Sequence, residues 1–346
     1  MTLQEASLNI SEQEYRDYPC LSYSALSKFD REGYECVETL FTPISTPSLV
    51  FGSIVDCLLT QGEEAFNNSY TVMQATLPPE SILNVVLELN NNCQSPLLAL
   101  VSDEDIINAA NVQEYSKHWK DATRVNKIRE LGSEYYDFLK SNQNKIIIDQ
   151  KTAEDAFKCV EALKTDPITR DYFIVSPIEN REILYQLQFV SKDELTGIEY
   201  KGMLDLVIID HKNKIIYPCD IKTTKSIYTF EDSFYNFRYY IQAEMYTSLL
   251  VNIILEKCPE LKDYRIMPYR FIVISRSNMK PVVFTWDRIY KNRDSYVDSR
   301  HNPLSNWRHL LQELNWILQN KETQLPKEWH DKLTKDGVIN IKQFKK

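Results

Sequence analysis

Asp205, Asp220 and Lys222 are the residues of this 346-residue chain whose types and spacing most directly suggest chemistry. They lie in the segment GMLDLVIIDHKNKIIYPCDIK (202–222), where the apolar runs MLDLVII and KIIYPCDIK flank a polar DHKN. Two runs of β-branched and large apolar residues around a polar tetrapeptide predict a β-hairpin. Side chains alternate along a strand, so Asp220 and Lys222 share a face. A carboxylate and an ammonium at the end of an apolar strand need a partner, water or a metal ion. With Asp205 supplied by the neighbouring strand, the carboxylates form an all-oxygen pocket suited to Mg²⁺ or Mn²⁺.

The segment FEDSFYNFRYYIQAEMYTSLLVNIILEK (230–257) contains neither Gly nor Pro and is long enough for a helix of several turns. Phe234, Arg238, Gln242 and Tyr246 recur at intervals of four and are expected on one helical face. Phe234 and Tyr240 read as an aromatic stripe against the sheet. Arg238 and Gln242 share that apolar face and need polar partners there; a phosphate and its attacking water would serve.

The arrangement Asp…Asp-x-Lys-Thr-Thr, followed by Tyr235, Arg238, Tyr239, Gln242 and Tyr246 in Y-x-x-R-Y-x-x-Q-x-x-x-Y spacing, resembles the core of RecE-like exonucleases (exodeoxyribonuclease VIII). These belong to the RecB-type branch of the PD-(D/E)XK nucleases. LSYSALSKFD (21–30) is similar to that family's S-x-S-x-L segment, and VFGSIVDCLL (50–59) to its G-x-x-x-H helix. The resemblance covers roughly residues 15–75 and 180–275. It departs from the pattern at Asp56, which stands where the family has a metal-holding histidine. Asp56 either faces the metals as a hard oxygen ligand or sits solvated at a helix rim.

The resemblance implies an α/β fold of the PD-(D/E)XK restriction-endonuclease-like kind, a mixed sheet flanked by helices. It implies metal-assisted hydrolysis of linear duplex DNA, 5′ to 3′, in phage or prophage recombination. Asp205, Asp220, the Ile221 carbonyl and Asp56 would hold Mg²⁺ or Mn²⁺. Lys222 would orient or deprotonate the attacking water, or neutralise charge on the phosphate. Gln242 would position that water, Arg238 and Thr223 would contact DNA, and Tyr246 would contact DNA or hold the active-site helix to Lys222. A homo-oligomer and a single-strand annealing partner are further implications. An endonuclease, a single-strand exonuclease and a non-catalytic DNA-end-binding module are the alternatives.

Several elements must position these residues. EILYQLQFV, KGMLDLVII, KIIYPCDIK, YRFIVISR and PVVFTW predict strands. ALSKFD, FGSIVDCLL and the stretch around KTAEDAFKCVEAL predict helices. The reading is a single nuclease domain over 1–346, with a helical insert at 75–145 and a mostly helical extension at 287–346. Within the insert DEDIINAANV and DATRVNKIRELGSEYYDFLK are helical, and LPPE and NNNCQSP are breaks. Glu182 is a candidate extra acidic ligand or a plain strand-end residue, and His211 is expected to be solvated in the hairpin turn.

Composition bounds the rest. With 43% hydrophobic residues the chain can bury a sizeable core. Seven scattered cysteines lack paired spacing and predict reduced thiols, hence a cytoplasmic setting rather than a disulfide frame or an iron–sulfur site. The opening MTLQEASLNISEQEY has no basic and apolar regions of a secretory signal, and no apolar run suits a membrane span. The net charge of −9 argues against coating DNA with a basic face. Local cations, among them Lys201, Lys222, Lys225 and Arg238, would suffice where a strand enters a metal-lined channel. Five dispersed histidines and seven glycines give no zinc motif and no phosphate-cradling loop.

Overall fold

A computed structural model describes residues 1–74, 77–142, 145–174, 180–286, 296–297, 303–321 and 325–337. Within them the chain divides into two compact units, 47–160 and the combination of 1–46 with 161–346. The sequence leads instead to one domain with an insert at 75–145. Part of the expected 287–346 extension lies outside the described residues.

The larger unit is built on a seven-stranded mixed sheet. Its main elements in chain order are β1 (Leu21–Ser22), α1 (Tyr23–Glu32), β2 (Arg181–Lys192), β3 (Glu199–Asp210) and β4 (Ile215–Thr224). Then follow α2 (Phe230–Asn236), α3 (Tyr239–Lys257), β5 (Tyr269–Ser275) and β6 (Pro281–Trp286). Strands β2, β3 and β4 are antiparallel, joined between β3 and β4 by the DHKN turn. Strand β5 pairs parallel to β4, with α2 and α3 in the connection, and β6 returns antiparallel. All five strands expected from the sequence are present.

Helix α3 is apolar almost all round, as a helix enclosed by other elements must be. Ile241, Met245, Leu249, Leu250, Ile253 and Ile254 are buried in one core with Val207, Ile209 and Ile216 of the sheet. Trp307, Leu310, Leu311 and Leu314, at helical spacing on the helix Trp307–Gln319, join that core. Gly202 of β3 sets the approach of α3. A Cβ there would stand 2.8 Å from Leu249 Cδ2 and 2.8 Å from Tyr246 Cε1, so only glycine fits.

Strict alternation fails at one register position. Leu184 and Leu187 of β2, and Leu204, Val207 and Ile209 of β3, all enter the same core. Each strand thus takes a step of three, from 184 to 187 and from 204 to 207. The ladder runs Leu187↔Leu204 and then Tyr185↔Leu206, leaving Gln186 opposite Asp205, and Gln186 takes φ 52°. That left-handed conformation is uncommon for a non-glycine residue. Asp205 therefore stands at a phase slip in the sheet.

The 47–160 unit contains helices Pro47–Thr60, Gly62–Ser69, Glu80–Asn92, Asp103–Val112 and Asp121–Ser141, and a two-stranded parallel sheet of Tyr70–Met73 with Ile146–Asp149. The breaks expected at LPPE and NNNCQSP bound the helix Glu80–Asn92, a further helix beyond the two expected in the insert. Pro79 caps it, and Ile82, Val85, Val86 and Leu89 bury a regular apolar stripe. No described helix is long and apolar enough to cross a membrane.

The Gly202 contact yields a prediction. Gly202→Ala forces α3 from the sheet or pushes Tyr246 aside, and overpacking of this kind costs about 1–3 kcal/mol. Urea unfolding should show a lower midpoint; an unchanged midpoint would mean that the helix does not rest on this strand.

Candidate active site

Strand β4 leaves β3 at the point where the charged residues begin. The β3–β4 ladder ends at Leu206↔Cys219, and from Cys219 onwards β4 pairs with β5. The next register position would set Asp205 opposite Asp220. There the Ile221 N–H donates to Asp205 Oδ2 at 3.1 Å, so a carboxylate takes the place of a strand carbonyl. The two aspartates are brought together on one face, as the hairpin spacing predicts.

Asp220 is 1% exposed. Lys222 Nζ lies 2.7 Å from its Oδ2, and Gln242 Nε2 of α3 donates to its Oδ1 at 2.5 Å. A carboxylate only accepts, so the Gln242 amide nitrogen must face it and the amide oxygen must point away. Gln242 Oε1 is then buried without a hydrogen-bond partner. Asp220 Oδ2 accepts no well-aligned hydrogen bond, so its contact with Lys222 is essentially ionic.

Lys222 Nζ also sits 4.7 Å from the ring centroid of Tyr239. Burial alone would lower the ammonium pKa, but Asp220, Tyr239, Asp205 and Tyr23 together raise it well above its ordinary value. Beside these groups the ammonium form is favoured, a form suited to stabilising negative charge. Three further tyrosines enclose the carboxylates. Tyr246 and Tyr269, with ring centroids 6.5 Å apart, are buried, and burial above all pushes both phenols up, with Asp205 and Asp220 adding to it. Tyr23 meets Tyr246 edge-on at 6.4 Å.

Other expected residues take different places. The single helix over 230–257 is two helices, broken at Phe237–Arg238, with Arg238 left-handed at φ 61° as the N-cap of α3. Phe234, Arg238, Gln242 and Tyr246 thus do not share one continuous face. The Arg238 guanidinium is ion-paired with Asp30 of α1 and donates from Nη1 to the Tyr235 carbonyl at 2.6 Å. Asp30 also accepts from the Ser305 hydroxyl. Thr223 lies on β4 opposite Ile274, and alternation puts it on the other sheet face from Lys222. Asp56 is half-buried on the helix Pro47–Thr60 of the other unit.

Lys201 is not a surface cation. It is buried, and Nζ donates to the carbonyls of Tyr15, Arg16 and Tyr18 at 2.6, 2.8 and 2.8 Å. It completes the open carbonyls at the end of the helix Glu12–Asp17. Glu182 pairs in register with Ile209, four residues along β3 from Asp205. His211 is half-buried rather than solvated, 3.1 Å from the Tyr264 hydroxyl and 3.4 Å from Glu182 Oε2. Tyr23, Tyr269 and Asp30 were not singled out from the sequence; their roles depend on long-range contacts that carry no local pattern.

Among the described residues no group of three or more His, Cys, Asp or Glu side chains could hold a metal ion. An all-protein cage is therefore not what these residues offer. The two carboxylates of Asp205 and Asp220 are a donor set of the kind Mg²⁺ takes, since it keeps several waters and binds through one or two carboxylates plus substrate phosphate. No family model matches the chain, and no curated protein matches it.

The placement of Lys201 can be checked. Lys201→Met leaves three carbonyls without a charged donor and should lower stability on the order of 2 kcal/mol or more. A Lys201→Met protein with wild-type stability but weaker, less salt-dependent DNA binding would contradict it.

Proposed function

We propose that the protein is a divalent-metal-dependent deoxyribonuclease with a PD-(D/E)XK-type core. The observation that carries this reading is the buried Asp220 carboxylate, held between the Gln242 amide and the Lys222 ammonium beside Asp205. A carboxylate 1% exposed contributes little as a generic surface charge, whereas a metal–phosphate site requires one. Asp205 and Asp220 would hold Mg²⁺ or Mn²⁺, with the Ile221 carbonyl as a further oxygen. The metal, when bound, supplies an acidified water and charge stabilisation on the phosphate.

The side chains do the remaining work. Gln242 Oε1 would accept a hydrogen bond from the attacking water and fix its direction. Lys222, kept protonated by its acidic neighbours, neutralises charge building on the phosphate oxygens. Arg238, engaged by Asp30, acts as a brace between α1 and α3. The substrate follows from the resemblance: linear duplex DNA, degraded from its 5′ end.

Incubation of 5′- and 3′-labelled linear duplex and of closed circular DNA with Mg²⁺ or Mn²⁺ tests the reading. Nucleotides should be released from linear ends and not from circles. Asp220→Asn should reduce release about a hundredfold or more, since several kcal/mol of transition-state stabilisation go with the charge. Lys222→Ala should still bind DNA in a gel shift while releasing almost nothing, because the ammonium acts mainly on the transition state. Wild-type protein that releases nothing from any substrate would leave a DNA-end-binding module as the better reading.

A further inference from the structure

The break between α2 and α3 holds a phenylalanine outward. Phe237 is 47% exposed although it lies between two helices whose other aromatic residues are largely covered. Its position is fixed rather than incidental. The Phe237 carbonyl accepts from the Tyr23 hydroxyl at 2.6 Å and from the Ser27 hydroxyl at 2.8 Å. The following residue, Arg238, carries the left-handed backbone, a conformation that costs a non-glycine residue about 1–2 kcal/mol. A strained, doubly anchored turn that leaves a large apolar ring in water contributes little to the core.

The surroundings of the ring have the chemistry of a nucleotide site. The Arg31 guanidinium carbon lies 6.0 Å from the Phe237 ring centroid, and Arg31 Nε is tethered to the Ser27 carbonyl. On another side Phe237 meets Tyr239, centroids 5.8 Å apart and planes at 33°. Tyr239 in turn carries Lys222 Nζ over its ring. A line of two rings thus connects the exposed aromatic to the ammonium beside Asp220, and a second cation lies over the outer ring.

We infer that Phe237 is a stacking platform for an unpaired nucleobase of the DNA strand, with Arg31 turning from the ring to an adjacent phosphate. Base-on-aromatic stacking tolerates any sequence, and a cation beside the platform matches the charge of the backbone. The inference rests on the proposed nuclease reading and adds to it: the strand reaches the carboxylates with a base unstacked from its neighbours, not as intact duplex.

Two phosphorothioate-linked strands, one of thymidines and one of abasic sugar units, separate stacking from phosphate contacts. Fluorescence anisotropy with Mg²⁺ should show the wild-type protein binding the thymidine strand on the order of tenfold more tightly than the abasic one. Phe237→Ala should erase that difference, and Phe237→Trp should keep it, with added indole emission quenched by the thymidine strand alone. Retention of the preference in Phe237→Ala, or no quenching in Phe237→Trp, overturns the platform. Wild-type protein that releases nucleotides from duplex ends yet binds both strands equally overturns the platform and leaves the nuclease reading standing. Neither binding nor release overturns both.

Discussion

The arrangement of the candidate site rests on the burial of Asp220 against Lys222 where β4 parts from β3. Both charges lie at the end of an otherwise apolar strand, and removing either partner leaves the other uncompensated, at a cost of about 3–5 kcal/mol. Polar groups engage the pair and its surroundings, although Phe271 stands opposite Asp220 in the sheet. Asp205 takes the Ile221 N–H, Gln242 bonds to Asp220, and the Tyr239 ring lies beside the ammonium. A polar centre of this kind is a poor way to stabilise a core. Its retention in the middle of one is the strongest indication of chemistry.

The helical layer is shaped around that centre. Gln242 reaches Asp220 because α3 lies close on β3, and Gly202 permits the approach. The same helix starts only at Tyr239, where the left-handed Arg238 resets the chain direction and Asp30 holds the guanidinium. The sheet makes a matching accommodation at Gln186, whose left-handed backbone stands opposite Asp205. Two strained non-glycine residues thus flank the acidic pair, one in the sheet and one before the helix. The turn at Gln186 also brings Leu184 and Leu187 into the same core, and that at Arg238 sets the start of α3.

Much of this was legible in the residues. Alternation around DHKN gave the hairpin, its register, and the shared face of Asp220 and Lys222, because period-two patterning depends only on which face is buried. The lack of Gly and Pro over 230–257 pointed to a helix, though to one amphipathic helix rather than a short one followed by an enclosed one. The break at Arg238 was not legible, since neither Gly nor Pro marks it and its compensation comes from Asp30, some two hundred residues earlier. The burial of Lys201 was hidden for the same reason, its three acceptors lying near the start of the chain. The phase slip at Gln186 has no local signature, because a glutamine in a strand normally signals only a polar face. The helix Glu80–Asn92 was legible and missed: Ile82, Val85, Val86 and Leu89 have helical spacing, but the flanking prolines and asparagines drew attention to turns.

The central claim is that the buried carboxylate pair is a divalent-metal site, and crystals soaked in Mn²⁺ address it directly. An anomalous difference peak is expected about 2.1 Å from carboxylate oxygens of Asp205 and Asp220, with Lys222 displaced from direct contact with Asp220 Oδ2. Saturating Mn²⁺ that leaves the Asp220–Lys222 ion pair closed, with no peak at either aspartate, would contradict it.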